Sequence, residues 1–491
     1  MSAFERLNGG EPGLPMKFSW RYPFFLIAGI SVLFACSPFK PSVMPDAAGE
    51  IPDTYALYGE ESDDLSPWWE SVGSPELTRL INDALSGSFS LKEAWARLNQ
   101  ARALAVQAGA AVYPELGATG SADYSRSRSD LTAGSSEGDE NYAVGLVSSY
   151  EIDLWGRVRS QRESALLDAD ASRSDLHTAM VTIAGEVADR WVRIISQRLQ
   201  KQLLEKQLQN NLTILELIEL RFRKAMVSAL DVYQQKQAVE RVRAQIPLVE
   251  AETQLLMHEL AVLLGRPPRA DLGLLQKEMP AIGPFPAVGL PADLLANRPD
   301  VRAAGVRLQS AQWQVSAARA NRLPALRLTA DAQYGRSDLD LLFDTWLLSL
   351  AADLTAPIFD GGRRAAEVDR TRALVDENLW VYRRTVLTAV KEVEDAMVSE
   401  IRQREHIEGL KAVNATAQKG LDEAIGRYRN GLSDYLPVIT QLLSFQDLER
   451  NLIVQQEQLI RYRIGLYRAL GGGWLAETEY PEAMVGVVDH E

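Results

Sequence analysis

Between Leu146 and Val158 the chain passes from a strand pattern into a helix pattern without a proper loop between them, and this join constrains everything around it. Before it, Tyr142, Val144, Leu146 and Tyr150 share one parity, while Ala143, Gly145 and Ser149 share the other, the alternation of a strand with two unlike faces. After it, from Gly156 and Arg157, a helical pattern runs to about Arg223 with hardly a Pro or Gly. At ~1.5 Å per residue that is a rod of roughly 100 Å, several times the width of an ordinary domain. Such a rod is built to cross a distance. Tyr150 and Trp155 stand at the join, where aromatic side chains belong if it lies at a membrane-water interface. A buried aromatic pair at a domain boundary is the alternative.

The amino terminus supplies an address. Lys17, Trp20 and Arg21 precede an apolar run from Phe24 to Ala35 that ends in Leu33-Phe34-Ala35-Cys36, the layout of a secretory signal whose removal leaves cysteine first. It resembles a bacterial lipoprotein signal, so residues 1–35 are read as the leader and Cys36 as the lipidation site, with an incidental thiol as the alternative. Met16 is a second candidate start, because residues 1–15 add nothing to the signal. The run is too short to span a membrane as a helix. In the lipoproteins that this signal resembles an aspartate after the cysteine implies inner-membrane retention, so Ser37 implies the outer membrane. Cys36 is the sole cysteine, which excludes intrachain disulfides and cysteine metal clusters. Residues 36–67 carry five prolines and scattered acids and read as an extended tether, with folded structure starting near Trp68 and Trp69. The net charge of -14 over 491 residues argues against a nucleic-acid partner.

The second half echoes the first. Thr182, Glu186, Val187, Asp189 and Val192 recur as Thr388, Glu392, Val393, Asp395 and Val398, and Arg221, Arg223, Leu230, Leu264 and Gly265 recur as Arg427, Arg429, Leu436, Leu470 and Gly471. The expected layout is therefore repeat 1 at 68–265, a linker at 266–291, repeat 2 at 292–474 and a tail at 475–491. Each copy reads as a helix (Ser90 to Val112, or Pro299 to Asn321), two strands, a very long helix, a tight turn and a returning helix. In the first returning helix Val242, Ile246, Val249, Thr253, Leu256, Leu260 and Leu263 keep the heptad spacing of a left-handed coiled coil. The second keeps it at Leu448, Leu452, Gln455, Leu459, Tyr462, Leu466 and Ala469. An ordinary four-helix bundle is the alternative, and the length of the outgoing arms counts against it.

Alternation is equally clean in the other strands. Leu116, Ala118, Gly120, Ala122 and Tyr124 oppose Thr119, Ser121, Asp123 and Ser125. Leu326, Leu328, Ala330, Ala332 and Tyr334 oppose Arg327, Thr329, Asp331 and Gln333, and Trp346, Leu348, Leu350, Ala352 and Leu354 oppose Ser349, Asp353 and Thr355. The runs match the ~9 to 11 residues of a tilted membrane strand. Slipping by one residue would put Arg327 in lipid at roughly 2 to 4 kcal/mol, so register is well specified. A soluble sandwich also alternates, but the secretion signal and the rods favour a membrane. Lipid forbids open sheet edges, and four strands cannot close when the smallest barrels need ~8. More than one chain must contribute, which makes an oligomeric pore, with the loops Ser125 to Asn141, rich in Ser, Gly and Asp, and Gly335 to Thr345 at its outer end.

Several motifs together carry a resemblance over about Trp68 to Trp474. They are Trp68-Trp69-Glu70, Tyr150 to Arg157, Leu263-Leu264-Gly265-Arg266-Pro267, Asn297 to Arg302, Pro357 to Arg363, and Ala469 to Trp474. The sequence resembles the outer-membrane efflux lipoproteins of the TolC/OprM/NodT type. The resemblance implies an α+β membrane protein: a homotrimer closing a twelve-strand transmembrane β-barrel, continued by a periplasmic helical coiled-coil barrel. It implies the exit duct of a tripartite pump, docked on a periplasmic adaptor and driven by an inner-membrane transporter. Gly305 stands where the family usually carries Glu.

Under the resemblance the turns between long helices are periplasmic tips, and Ala225, Met226, Val227, Ser228, Gly431, Leu432 and Ser433 are the adaptor-docking candidates. Ser228 and Ser433 suit helix caps and Pro437 a first helical turn, which explains these residues as plain hairpin turns without a partner. The family rings its closed pore with a leucine and an acid one turn on. Leu436 matches the leucine, Thr440 stands at the acid's place and Asp434 is the nearby substitute. Tyr150, Trp155 and Trp346 are membrane-interface candidates in contact with outer-membrane lipid. His177, His258, His406 and His490 are widely spaced and form no ligand pair or nucleophile setting, so neither enzyme activity nor a cofactor is expected. The expectation is a passive channel for small molecules. A duct for secreted polypeptide and a coiled-coil envelope spacer without a pore are the alternatives.

Overall fold

The computed structural model describes residues 39–41, 48–49, 51–52, 54–55, 67–128, 136–286, 288 and 291–471. The leader, Cys36 and the tail 475–491 lie outside the described residues. Among the described residues no helix is long and apolar enough to cross a membrane. The chain divides into a sheet unit, which includes Gly109–Gln161 and Trp313–Asp369, and a helical unit, which includes Val43–Ala108, Arg162–Gln312 and the chain from Arg370 onward.

In the sheet unit β1 (Glu115–Arg128), β2 (Ser136–Ile152), β3 (Ala325–Arg336) and β4 (Trp346–Thr355) lie side by side in chain order, each antiparallel to the next. Register follows side-chain chemistry. Ala118, Leu146, Ala332 and Leu348 form one cross-strand row, and Glu151, Arg327 and Asp353 form another on the opposite face. Gly145 has to be glycine, because a Cβ there would stand 2.7 Å from the Ala332 carbonyl oxygen. The first hairpin extends further than expected, since β1 continues to Arg128 and β2 begins at Ser136. The polar residues taken for loop keep pairing because a backbone ladder needs no apolar side chains to persist in water. β1 and β4 are both edges, with one side of each backbone unpaired.

In the helical unit α1 (Pro75–Gly87) precedes α2 (Phe89–Ala110). The reading of a first helix beginning at Ser90 missed α1, although Ser74 accepts a hydrogen bond from the Leu77 amide and Pro75 opens the first turn. The long helices are α3 (Arg157–Arg223), α4 (Ala229–Leu263), α6 (Arg363–Arg429) and α7 (Leu436–Leu470), and α5 (Pro299–Ala320) precedes β3. Outgoing helices α3 and α6 have 67 residues each, and returning helices α4 and α7 have 35 each. None of the fourteen heptad positions is exposed, whereas Glu240, Arg241 and Arg243 are.

Both returning helices end on a left-handed glycine, Gly265 (φ 70°) and Gly471 (φ 94°). A Cβ on Gly265 would collide with the Gly87 carbonyl at the end of α1. On Gly471 it would stand 2.8 Å from the carbonyl of Asn297, which ends a single helical turn before α5. Gly305 lies against the ring of Tyr382, 3.3 Å from where a Cβ would sit. A side chain added there would press on that ring, which would have to give by a few tenths of an ångström.

The chain from 266 to 286 is irregular but held. Arg79 and Arg198 donate to the Leu272 and Leu274 carbonyls, and Glu76 accepts the Gln276 amide and the Trp191 indole N–H. Ahead of Trp68, one described residue of the proline-rich segment is buried. Tyr55 is buried among Val301, Val386, Val393 and Met397. A lone aromatic residue in a tether has no periodicity to betray its burial.

Candidate functional site

The two turns between long helices are built alike. At the end of α3 the Met226 amide donates to the Arg221 carbonyl and the Ala225 amide to that of Phe222. At the end of α6 Leu432 donates to Arg427 and Gly431 to Tyr428. These are paired C-terminal closures around one left-handed residue. That residue is Gly431 (φ 70°) in the second turn but Ala225 (φ 55°) in the first, the one non-glycine with positive φ among the described residues.

Beyond the turns the copies diverge. Ser228 caps α4 in a reciprocal box, accepting from the Asp231 amide at 3.3 Å while its own amide donates to Asp231 at 3.0 Å. Ser433 does not cap α7, contrary to the reading above. Tyr435 occupies the cap position in helical conformation, and the Ser433 hydroxyl is buried without a partner. Asp434 at −206 aligns with Ser228, so the capping place falls on a residue that leaves the helix start to Pro437, whose missing N–H needs no acceptor.

Among the docking candidates, Ala225, Met226, Ser228, Gly431 and Leu432 are exposed, and Val227 and Ser433 are half-buried. Val227 leans on a cluster that includes Ile218 of α3, Val232 of α4, Leu421 of α6 and Val438 of α7. One core therefore underlies both turns. Leu436 is 58% exposed, and Thr440, one turn on, is also exposed and donates to the Leu436 carbonyl at 2.8 Å. Asp434 is exposed and precedes the helix.

Behind these residues lies a polar network that periodicity does not reveal. The Tyr435 hydroxyl donates to Gln235 Oε1 at 2.6 Å, and Gln235 Nε2 donates to the Asn211 carbonyl at 2.7 Å. The side chains of Asn211 and Gln446 bond reciprocally at 3.4 and 3.0 Å. Tyr435, Gln235, Asn211 and Gln446 are all buried, so α3, α4 and α7 are registered on one another by neutral hydrogen bonds. Burial, with Tyr428 and Asp231 nearby, holds the Tyr435 hydroxyl well above the usual phenol range. Arg221 stacks over Tyr428, 4.8 Å from its centroid. The signal available in the sequence was a polar residue inside an apolar stripe: Gln235 between Val232 and Val239, and Gln446 after Val438, Ile439 and Leu442.

In the sheet unit, Tyr150 and Trp346 fall on the apolar face toward opposite ends, Tyr150 half-buried and Trp346 68% exposed. Trp155 is tied to the backbone at the entry of the next strand. Its indole N–H donates to the Pro324 carbonyl at 2.7 Å, tying the exit of β2 to the entry of β3. Asp153 accepts the Val158 and Arg159 amides at the start of α3, and Asp360 accepts the Gly362 and Arg364 amides at the start of α6. Each join is thus a capped helix start reached through a short connection, residues 153–156 after β2 and 356–362 after β4.

A sheet with one polar and one apolar face and two free edges, carried in one chain with two long helical hairpins, defines an outer-membrane channel subunit. The chain belongs to the outer membrane efflux protein family, whose model matches residues 80–266 and 290–472. It is 35% identical over 469 residues to the pyoverdine export outer membrane protein OpmQ of Pseudomonas putida strain KT2440, covering 91% of this chain and 96% of that protein. It is 33% identical over 418 residues to the solvent efflux pump outer membrane protein SrpC of Pseudomonas putida, covering 82% and 87%. Its fold is similar to the outer-membrane channel OprN, with a TM-score of 0.79 at 27% identity, covering 89% of this chain and 98% of that one. The protein is an outer-membrane efflux channel.

Proposed function

We propose that the protein is the passive exit duct of a tripartite efflux system for small molecules. Three copies would close a twelve-strand barrel, with a helical barrel extending into the periplasm and Cys36 lipidated in the outer membrane. The observation that carries this reading is the amphipathic sheet with β1 and β4 both unpaired. In lipid such edges must be satisfied, and a second and third copy supply them with the same chemistry. The matching lengths of α3 with α6 and of α4 with α7 support descent from one duplicated hairpin unit.

The turn residues Ala225 to Ser228 and Gly431 to Ser433 dock the periplasmic adaptor, which in turn meets an inner-membrane transporter. Leu436 from each copy narrows the duct, with Thr440 and Asp434 beside it and no ring of acids at the Thr440 level. Pyoverdine and solvents in the names of two relatives favour small-molecule cargo over polypeptide.

The mass of the detergent-solubilised particle, corrected for bound detergent, is the first test. Three chains per particle support the shared barrel, whereas a monodisperse single chain returns the protein to the spacer reading. Given a trimer, Leu436→Ala should raise single-channel conductance in planar bilayers, and unchanged conductance removes Leu436 from the constriction.

A further inference from the structure

The loop 337–345 joins β3 to β4 through a 3-10 turn, Leu339–Leu341, and its composition is unlike that of an aqueous cap. Three aspartates, Asp338, Asp340 and Asp344, are interleaved with Leu339, Leu341, Leu342 and Phe343. Leu339 is 62% and Phe343 70% exposed. Exposed apolar side chains in such density call for something to cover them.

The side on which Phe343 lies is fixed by one contact. Its ring meets the ring of Tyr334 edge-on, with centroids 5.4 Å apart and planes at 66°. Tyr334 belongs to the apolar parity of β3, in register with Val144 on one side and Trp346 on the other. The loop therefore brings Phe343 back over the sheet's apolar face, next to the exposed Trp346. Aromatic rings at the end of a membrane strand suit the headgroup level, where an apolar body and a polar neighbourhood are both met. The three carboxylates keep the loop backbone from sinking further.

We propose that this loop is a lipid-contact shelf: Phe343 and Trp346 lie in the interfacial layer of the outer leaflet, at the rim of the edge strand β4. The inference rests on the reading that the sheet's apolar face meets lipid. The competing occupant is a second copy of the chain, because β4 is an edge and a neighbour's β1 would run beside it.

The test is fluorescence quenching on the full-length protein in phosphatidylethanolamine–phosphatidylglycerol vesicles. An environment-sensitive dye is attached in turn at Phe343→Cys, Trp346→Cys, Asp340→Cys and Leu350→Cys, with the parent chain setting the background from Cys36. Dye at 343 and 346 should be quenched severalfold more strongly by a nitroxide lipid labelled near the headgroup than by aqueous iodide. Dye at 340 should show the reverse. Strong quenching by iodide at 343 and 346, or protection there from both quenchers, overturns the shelf, the second outcome favouring a neighbouring copy. Leu350, in the middle of the apolar face and probed with a second nitroxide lipid labelled deep in its acyl chain, separates the two levels of failure. If lipid quenches 350 but not 343 and 346, only the shelf falls. If it quenches none of them, the lipid-facing reading of the sheet falls with it.

Discussion

The hydroxyl of Tyr435 donates to Gln235 Oε1 at 2.6 Å across 200 residues of sequence. It joins the first turn of one returning helix to the flank of the other. Both partners are buried, so neither can exchange this bond for one with water. Tyr435→Phe leaves the Gln235 oxygen without its donor and should cost about 1 to 3 kcal/mol of local stability. Amide hydrogen exchange in the first turns of α4 and α7 should accelerate accordingly. Unchanged exchange would mean that Gln235 finds another donor.

The same hydroxyl sets an alkaline limit. Burial raises its pKa above the ordinary value, as it does for Tyr55. As pH climbs past about 10 the unfolded chain releases these protons while the folded one retains them, so stability is full below that value and falls above it. Tyr435→Phe should flatten the alkaline decline at the helical turns, and Tyr55→Phe should do so around Val386 and Val393. Hydrogen exchange at stepped pH reads both.

Ala225 and Gly431 hold the same backbone conformation at equivalent places. A left-handed residue with a Cβ costs roughly 1 to 2 kcal/mol, partly offset by the extra freedom that glycine loses on folding. Ala225→Gly should therefore stabilise its turn by up to about 1 kcal/mol. Gly431→Ala should destabilise its own by a similar amount, since no atom lies within 4 Å of the added Cβ and backbone strain is the whole cost. Shifts of the same sign in local exchange would contradict this account.

Arg463 and Glu400 form a buried pair with Nε–Oε2 at 2.8 Å and Nη2–Oε1 at 2.6 Å, and Arg463 also donates to the Pro284 carbonyl. Glu400→Ala strands a buried guanidinium and should cost about 3 to 5 kcal/mol. The double replacement Glu400→Leu with Arg463→Met should recover most of that loss. Thermal unfolding of the detergent-solubilised protein compares the three.

Tyr55 carries a buried hydroxyl with no hydrogen-bond partner. Tyr55→Phe removes an unsatisfied polar atom and should be neutral or stabilising by about 1 kcal/mol, whereas Tyr55→Ala empties the site at about 3 to 5 kcal/mol. If phenylalanine proved as damaging as alanine, the hydroxyl would have a partner.

What could be read in advance was whatever repeats over many residues. The parity of Leu326 to Tyr334 and the heptads of α4 and α7 are long patterns, and the strands and helices lie where those patterns run. The turns were legible for the same reason, as interruptions of a long helix. Single residues acting across the fold were not. Asn211 looks like part of a solvated face until α3 and α7 are packed together, and Trp155 reads as an interface aromatic until Pro324 is beside it. Ser433 imitates Ser228 by type but falls one residue short of the matching place.

The neutrality of the joint formed by Tyr435, Gln235, Asn211 and Gln446 sets the conditions under which it holds. No member carries a charge below about pH 10, so dissolved ions have nothing to screen and mild acid has nothing to protonate. A bacterium moving from fresh water to brine, or into an acidic niche, changes the electrolyte around this joint without loosening it. Strong alkali, which ionises the Tyr435 hydroxyl, is the exception.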